Sequence, residues 1–456
     1  MERKTILITS FEGIETKNVL RTPILTTLLS RPDIKVVIFT KDEARAEYHK
    51  KEFNDLHISY EVAVTFPIKG LDRFFQWLKF VMLNTESTCL RRKMLYDLEG
   101  NFLWYYFGLF FSRILARKFF IRLARFLDWY LIKNRAYDKY FEKYKPDLVF
   151  LANIFYEPEI HFLRSAKKYG VKTIGFINSW DKVTARCILR FLPDKFVVFN
   201  DTVKEELIKY NHIGRREIFI GGVPQYDEYL NGRRKNREEF FKEVGVDPAK
   251  NLILYAPIGL AFSDSDWEMI DLLRKLKSKG KFPDNTEILV RFHPYDRPSP
   301  EEIKKRPGLI FEHPGKVFSG KQGEAWDWDL NFDELWHLAD TLKHASLLIC
   351  YASSLSIDAA IFDTPVININ FEIRHNLPMI KSAVQFYKME HYQKALKSGG
   401  IRLVESPEKL LEWINRYINN PELDRSGRKK MVMEQCRFMD GKSGERIGKF
   451  ILGNLN

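Results

Sequence analysis

The sequence predicts an α/β protein made of two doubly wound, parallel-sheet halves laid end to end. Short apolar strands alternate with helical periods from Thr5 to Ile220, and a second series of the same kind runs from Leu252 to Ile369. At 456 residues the chain is too long for one ordinary domain, and its 45% hydrophobic content fills a core in each half. Residues 1–225 are read as a first Rossmann-like domain carrying a helical insertion over about 66–145. Residues 226–438 form the second domain, and 439–456 a terminal helix packing back on the first.

Each element has a local reason. Thr5–Thr9 is a buried strand, Val19–Leu29 has a helical period, and Lys35–Thr40 is the next strand of a βαβ unit. From Phe66 to Lys145 the alternation gives way to aromatic and basic helices, then resumes at Asp147–Ala152, Lys172–Phe176, Lys195–Phe199 and Ile218–Ile220. Gly221-Gly222-Val223-Pro224 and the charged stretch ending at Val246-Asp247-Pro248 mark the junction, with the glycines expected to supply a tight turn. The second series comprises Leu252–Tyr255, helix Trp267–Ser278, Glu287–Phe292, Leu309–Phe311, helix Phe332–Lys343, Leu347–Tyr351 and Val366–Ile369. A final helix is expected over about Gly441–Leu452.

The chain carries 73 Lys+Arg against 60 Asp+Glu, a net charge of +13, and 36 Phe. Such an excess points to an anionic partner: nucleic acid, an acidic membrane or a phosphorylated substrate. Its location decides among them. Asn101 to Lys145 holds ten basic and three acidic residues, more than half of the net charge. On a helical wheel Arg113, Arg117, Lys118, Arg122 and Arg125 fall on one side, opposite Leu115, Phe119, Phe120, Leu123, Phe126, Leu127 and Tyr130. Arg113, Arg117, Lys118, Phe119, Arg122 and Phe126 are therefore expected to face an anionic membrane surface. The competing reading is a core-packing helix with a basic outer face. Nucleic acid is not expected, because no known motif is present and the aromatic residues do not interleave with the basic ones. Four scattered cysteines, no leader-like h-region and no apolar run near 20 residues imply a reduced, cytoplasmic setting, peripheral on the inner membrane face.

Ligands of doubly wound sheets bind beyond the carboxyl ends of strands. Arg291-Phe292-His293-Pro294 directly follows a strand, placing an imidazole where it can donate to a phosphate oxygen. The strand Leu347–Tyr351 runs into Ala352-Ser353-Ser354, where two hydroxyls sit in the N-cap region of a helix, with Asp358 one turn in and able to accept from ribose hydroxyls. Plain N-capping explains the serines alone; His293 and the serines at strand ends of one domain together read as a nucleotide phosphate site.

These residues, Leu254-Tyr255-Ala256-Pro257, Arg291-Phe292-His293-Pro294, Tyr351-Ala352-Ser353-Ser354 with Asp358, and Gly399-Gly400, resemble the GT-B superfamily, and within it the CDP-glycerol glycerophosphotransferase and surface-polysaccharide transferase branch. The resemblance covers about Val171 to Gly448. It implies two Rossmann-like domains facing across a cleft, and a phosphate of a CMP-, CDP- or UDP-activated donor held by the His-Pro and Ser-Ser motifs. Pro257, Gly259, Arg291, His293, Ser353, Ser354 and Asp358 are the donor-binding candidates. It further implies a base from the first domain, a lipid-linked or glycan acceptor, and no metal or other cofactor.

Two departures stand out. The family's Ala-Pro-Thr-x-Arg segment appears as Ala256-Pro257-Ile258-Gly259-Leu260, without the hydroxyl and the positive charge. Its Trp-His-Gly segment corresponds to Ser179-Trp180-Asp181-Lys182, so a carboxylate stands where an imidazole is expected. Asp181 is the candidate base, with helix capping as its simpler role and Glu12 and Glu157 in reserve. Asp327-Trp328-Asp329 and Asp264-Ser265-Asp266 imitate a metal-binding DxD pattern and are read as solvated loops. The expected function is an inverting, metal-independent glycosyltransferase or polyol-phosphate transferase of surface-polymer or glycolipid synthesis. A UDP-N-acetylglucosamine 2-epimerase-like enzyme and a non-catalytic membrane-binding protein are the alternatives.

Overall fold

Apolar runs bounded by turns form two all-parallel sheets, one in each of the two units into which the chain divides. The computed structural model describes residues 3–64, 66–283, 285–319 and 327–455. The first unit comprises Met1–Arg92, Asn101–Leu230 and Cys436–Asn456, the second Lys93–Gly100 and Asn231–Gln435. The second unit thus includes a short piece of the region read as the insertion, and there the Asp97 carboxylate accepts the Met379 N–H at 2.7 Å.

The first sheet consists of β1 (Lys4–Thr9), β2 (Ile34–Thr40), β3 (Ile58–Val62), β4 (Leu148–Leu151), β5 (Lys172–Phe176), β6 (Lys195–Val198) and β7 (Ile218–Ile220), ordered β3-β2-β1-β4-β5-β6-β7. Ile6 pairs with Val36 on one side and Leu148 on the other, so β1 is central and the order reverses between β1 and β4. That switch point is where an open α/β sheet leaves a crevice at its strand ends. The second sheet repeats the order: β8 (Asn251–Ala256), β9 (Thr286–Arg291), β10 (Ile310–Glu312), β13 (Leu347–Cys350), β14 (Val366–Ile369) and β15 (Arg402–Val404) run β10-β9-β8-β13-β14-β15. Between β10 and β13 a small antiparallel pair intervenes, β11 (Lys316–Ser319) and β12 (Asp327–Asp329). Strands β3 and β15 escaped the sequence reading because β3 lies half-buried at a sheet edge and β15 is three residues long.

Val19–Leu29 is not one helix. A π-type turn over Thr16–Leu20 ends before Pro23, and Thr22 starts a fresh helix, α1 (Pro23–Leu29), accepting the Ile24 N–H at 3.4 Å. Proline fits the first helical position and breaks the preceding ladder. The insertion folds as helices including α2 (Gly70–Val81), α3 (Phe102–Leu115) and α4 (Lys118–Leu131). A small cluster of Met82, Leu83, Ile121 and Ile188 joins it to the rest of the unit. A buried ion network completes the attachment: Arg190 bonds Asp72 at 2.7 Å, Asp128 at 2.8 Å and Glu157 at 2.6 Å, while Arg164 bonds Asp128 at 2.7 Å. Glu157 opens α5 (Glu157–Lys168), and a four-residue helix, α6 (Lys182–Ala185), follows β5.

In the second unit α7 (Asp266–Ser278) follows β8, and α8 (Leu355–Ile361) follows β13. The chain closes with α9 (Ser443–Leu452) in the first unit, packed on α1. Here the glycines have a different use from the expected turn alone. A Cβ on Gly221 would collide with Ile447 Cγ1, and one on Gly222, whose φ is +88°, with Ser443 Oγ. The glycine pair makes room for α9, and the Asp227 carboxylate accepts its first N–H groups, from Ser443 at 3.0 Å and Gly444 at 2.6 Å. Burial pushes that carboxyl up to about 6. Among the described residues no helix is long and apolar enough to cross a membrane.

Candidate active site

In the second unit the site is assembled from three loops at the carboxyl ends of β8, β9 and β13. After β8 the chain turns through Pro257-Ile258-Gly259, with Gly259 at φ +96°. A Cβ there would meet Asp296 Oδ2 at 2.5 Å and Tyr295 Cε2 at 2.8 Å, so only glycine lets this loop approach the loop after β9. Tyr295 donates its hydroxyl to the Ile258 carbonyl at 2.9 Å, and Asp296 accepts the Leu260 N–H at 3.2 Å. From the other side Asp266 accepts the Gly259 N–H at 2.8 Å and that of Ile258 at 3.3 Å. Burial raises both carboxyls, Asp266 to about 7 and Asp296 to about 6. Asp296 Oδ2 has no hydrogen-bond partner among the described residues.

His293 lies on this platform. Its Nδ1 accepts the Tyr295 N–H at 3.2 Å, which in the neutral ring leaves the proton on Nε2, the nitrogen able to donate to a phosphate oxygen. The ring lies 3.7 Å from that of Tyr295 and edge-on to Trp328 at 5.5 Å. Trp328 belongs to β12, so Asp327-Trp328-Asp329 is a strand of a small hairpin and not the loop expected. Asp266 likewise is buried structure and not part of a solvated loop.

Beyond β13 the two serines separate in role. Ser353 Oγ accepts the Leu355 N–H at 3.2 Å, a local capping bond, whereas Ser354 is exposed at the N-cap position and makes no capping bond. A buried network underneath, which the sequence did not reveal, fixes this turn: Ser356 lies 3.0 Å from the Tyr392 hydroxyl, which donates to Asn368 Oδ1 at 2.6 Å.

Two donor-site expectations change. Arg291 turns away from the strand ends to Glu312 on β10, its side chain 6% exposed, and His337 binds the second oxygen of that carboxylate at 2.7 Å. Its Nη1 orders β9 against β10 through Glu312, while Nη2 is buried with no hydrogen-bond partner among the described residues. Asp358 is only 5% exposed on the inner side of α8, which leaves no open carboxylate for a ribose.

In the first unit Asp181 precedes α6 and makes no side-chain capping bond; it accepts from the Ser179 hydroxyl and lies 3.6 Å from the Arg186 guanidinium. It is half-buried. Glu157 is no reserve base, because Lys79 and Arg190 occupy it. Asp72, Glu157 and His161 lie close enough to hold an ion, but the first two are tied into the Arg190 network. At the switch point between β1 and β4 the structure adds a buried chain of groups. Asn153 donates to Glu15 Oε1 at 2.9 Å, and Lys182 donates to Asn153 Oδ1 at 2.7 Å and to Asn178. Burial raises Glu15 to about 7, with Glu12 adding to the shift, and lowers Lys182. Glu12, half-buried at the mouth of this chain, remains an alternative base. Lys182, one residue past Asp181, was the sequence signal for this cluster.

The wheel of α4 departs from the core-packing reading. Ile121 and Asp128 are its fully buried residues, with Phe120, Ala124 and Trp129 packed partly buried beside them. The aromatic side is open to solvent, with Phe119 69% and Phe126 57% exposed. The other side of the helix, Phe120, Ala124, Leu127 and Leu131, lines an apolar groove of about 420 Å³ shared with Phe74, Trp77 and Phe107. Phe102, Leu103, Trp104 and Phe110 of α3 are exposed too.

Comparison with curated protein sequences finds no match. Solved structures share the fold. A putative UDP-N-acetylglucosamine 2-epimerase from Listeria monocytogenes aligns with a TM-score of 0.55 at 12% identity, over 98% of this chain and 95% of its own. A glycosyltransferase from Rickettsia africae ESF-5 aligns with 0.51 at 13% identity, over the whole of both chains. The wall teichoic acid polymerase TagF aligns with 0.50 at 14% identity, over 99% of this chain and 89% of its own. Residues 192–453, more than half of the sequence, match the family CDP-Glycerol:Poly(glycerophosphate) glycerophosphotransferase. The fold is thus GT-B, and the chain belongs to the CDP-Glycerol:Poly(glycerophosphate) glycerophosphotransferase family, as a transferase.

Proposed function

We propose that the protein transfers a polyol phosphate or sugar from a cytidine- or uridine-type nucleotide donor to a lipid-linked or glycan acceptor, while docked on the anionic inner face of the cytoplasmic membrane. The observation that carries the reading is the placement of His293 directly after β9 and beside the Gly259 turn, with its Nδ1 accepting the Tyr295 N–H so that the neutral ring carries its proton on Nε2. The exposed Ser354 hydroxyl supplies a second donor at the end of β13. In this scheme Asp181 takes the proton of the acceptor hydroxyl as its oxygen attacks phosphorus, or C1 of a sugar, with inversion. The bond to the nucleotide phosphate breaks, its electron pair stays on the departing oxygen, and His293 and Ser354 stabilise that charge. Preorganised donors of this kind are the larger part of such a rate enhancement. The scheme uses no metal. Exposed Phe119 and Phe126, flanked by Arg113, Arg117, Lys118 and Arg122, support the membrane reading.

Thermal shifts with CMP-, CDP-, UDP- and GDP-linked compounds test the donor class. The wild type is expected to respond to one pyrimidine nucleotide and His293→Ala to lose the response; an unchanged response in the variant would refute the site. Asp181→Asn should abolish transfer with donor binding intact, and full activity would move the base to Glu12.

A further inference from the structure

Beside the aromatic side of α4 lies a second, polar concavity of about 610 Å³, lined by Lys118, Arg122, Arg125 and His212 together with Leu192, Ile208 and Glu217. Among the described residues its cations pair with no carboxylate. Arg125 donates to the Leu189 and Asn211 carbonyls at 2.9 and 3.1 Å and to Asn211 Oδ1 at 3.3 Å, all uncharged acceptors. Among the described residues Lys118 and Arg122 pair with no carboxylate. Glu217, the one acidic lining residue, accepts the Gly214 N–H instead. His212 Nε2 is buried and has no hydrogen-bond partner among the described residues.

The helix end adds to the field. Arg117 is the N-cap of α4 and makes no capping bond, and the first turn contains no acidic residue. Helix N-termini ordinarily attract Asp or Glu to their open N–H groups and positive dipole end. Here basic residues stand there, so several positive contributions converge on an unfilled space. Burial, then Arg125, Lys118 and Arg122, depress the imidazole of His212, as expected where cations crowd together. On the wheel, Lys118, Arg122 and Arg125 occupy an arc adjoining that of Phe119, Phe126 and Tyr130 at roughly 100° per residue. A group bound in the concavity therefore has a wall of exposed aromatic rings next to it.

We infer that this concavity is a binding site for the phosphate of an anionic phospholipid headgroup, whose acyl chains run along the exposed aromatic arc of α4. The adjoining apolar arc selects a lipid over a free phosphate or a polyanion, neither of which has use for Phe119 and Phe126. This deepens the membrane reading above and rests on it.

The test uses the full-length protein and vesicles of phosphatidylcholine alone or mixed with phosphatidylglycerol. Lys118→Glu with Arg122→Glu is the pocket variant; both side chains are exposed, so the fold is retained, as circular dichroism should show. Lys429→Glu with Lys430→Glu, exposed in the second unit, makes the same change in net charge elsewhere. With each basic residue at an anionic surface contributing about 1 kcal/mol, losing two weakens partitioning about 30-fold. The wild type and the Lys429/Lys430 variant should float with phosphatidylglycerol vesicles, and the pocket variant at least about 30-fold more weakly. Monomeric dihexanoyl phosphatidylglycerol should bind the wild type saturably, and the pocket variant not at all. Equal loss in both variants, or none in the pocket variant while the wild type floats, would overturn the headgroup site and leave membrane docking standing. Wild type that floats with neither vesicle would overturn both. Inorganic phosphate or a soluble phosphodiester oligomer binding the pocket as tightly as the short-chain lipid would also overturn the lipid assignment.

Discussion

Asp266 offers a sharp physical test of the loop that frames the donor site. Both its oxygens accept backbone N–H groups, from Gly259 at 2.8 Å and Ile258 at 3.3 Å, yet burial raises its carboxyl from 3.8 to about 7. A folded-state pKa raised above the unfolded one means that the native protein holds the proton more tightly. Stability from this group is therefore greatest below about pH 4 and is lost as the pH rises through about 7. Between pH 5 and 8 the loss spans two pH units at about 1.4 kcal/mol each, about 3 kcal/mol in total. Asp266→Asn removes this slope and also removes one acceptor, since an amide nitrogen cannot receive the second N–H, at about 1–3 kcal/mol. Denaturant unfolding of the second unit should thus find the variant less stable than wild type at pH 5, with the gap closing or reversing by about 3 kcal/mol at pH 8. Comparing the two proteins cancels the titrating groups that do not interact with Asp266; Asp296 and Glu268, which add to its shift, are the ones that do. Stability curves that run parallel from pH 5 to 8 would refute the assignment of a buried, proton-holding carboxyl beneath Gly259.

Gly259→Ala should strain the positive-φ turn and push against Asp296, at about 1–3 kcal/mol; calorimetry of nucleotide binding should show weaker affinity, with the first unit's melting unchanged. Arg190→Met leaves Asp72, Asp128 and Glu157 short of their shared cation and should cost about 3–5 kcal/mol, read as a lower melting temperature of the first unit. Asp227→Ala removes the acceptor for two N–H groups at the start of α9, at about 1–2 kcal/mol, and should expose the C-terminal segment to limited proteolysis before the rest of the chain is cut.

The sequence carried the two-sheet plan because nearly every strand is a short apolar run with turn residues at its ends, and burial follows those runs. It also carried the placement of His293, Ser353 and Ser354 just after strands, since that position is visible in one dimension. It did not carry direction or partnership. Arg291 and Asp358 have suitable chemistry at suitable positions, yet the first is taken by Glu312 and the second turns inward. Tyr295 and Asp296 were missed because their part in the site comes from contacts between loops more than 30 residues apart, and Asp266 was read as a solvated loop residue because its burial is not visible in one dimension. Glu15, Asn153 and Lys182 meet only because β1, β4 and β5 are neighbours in the sheet. The amphipathic wheel of α4 was legible, but which arc meets the core was not. Two of its residues, Ile121 and Asp128, anchor it, and the Asp128 carboxylate holds its place through Arg190 and Arg164.

The central claim is that the nucleotide donor's phosphate sits at the carboxyl ends of β9 and β13. A crystal structure of the protein soaked with CDP tests it directly. The account predicts phosphate density within hydrogen-bond distance of His293 Nε2 and Ser354 Oγ, with Arg291 still on Glu312. Phosphate bound by Arg291, or nucleotide held away from both His293 and Ser354, would contradict it.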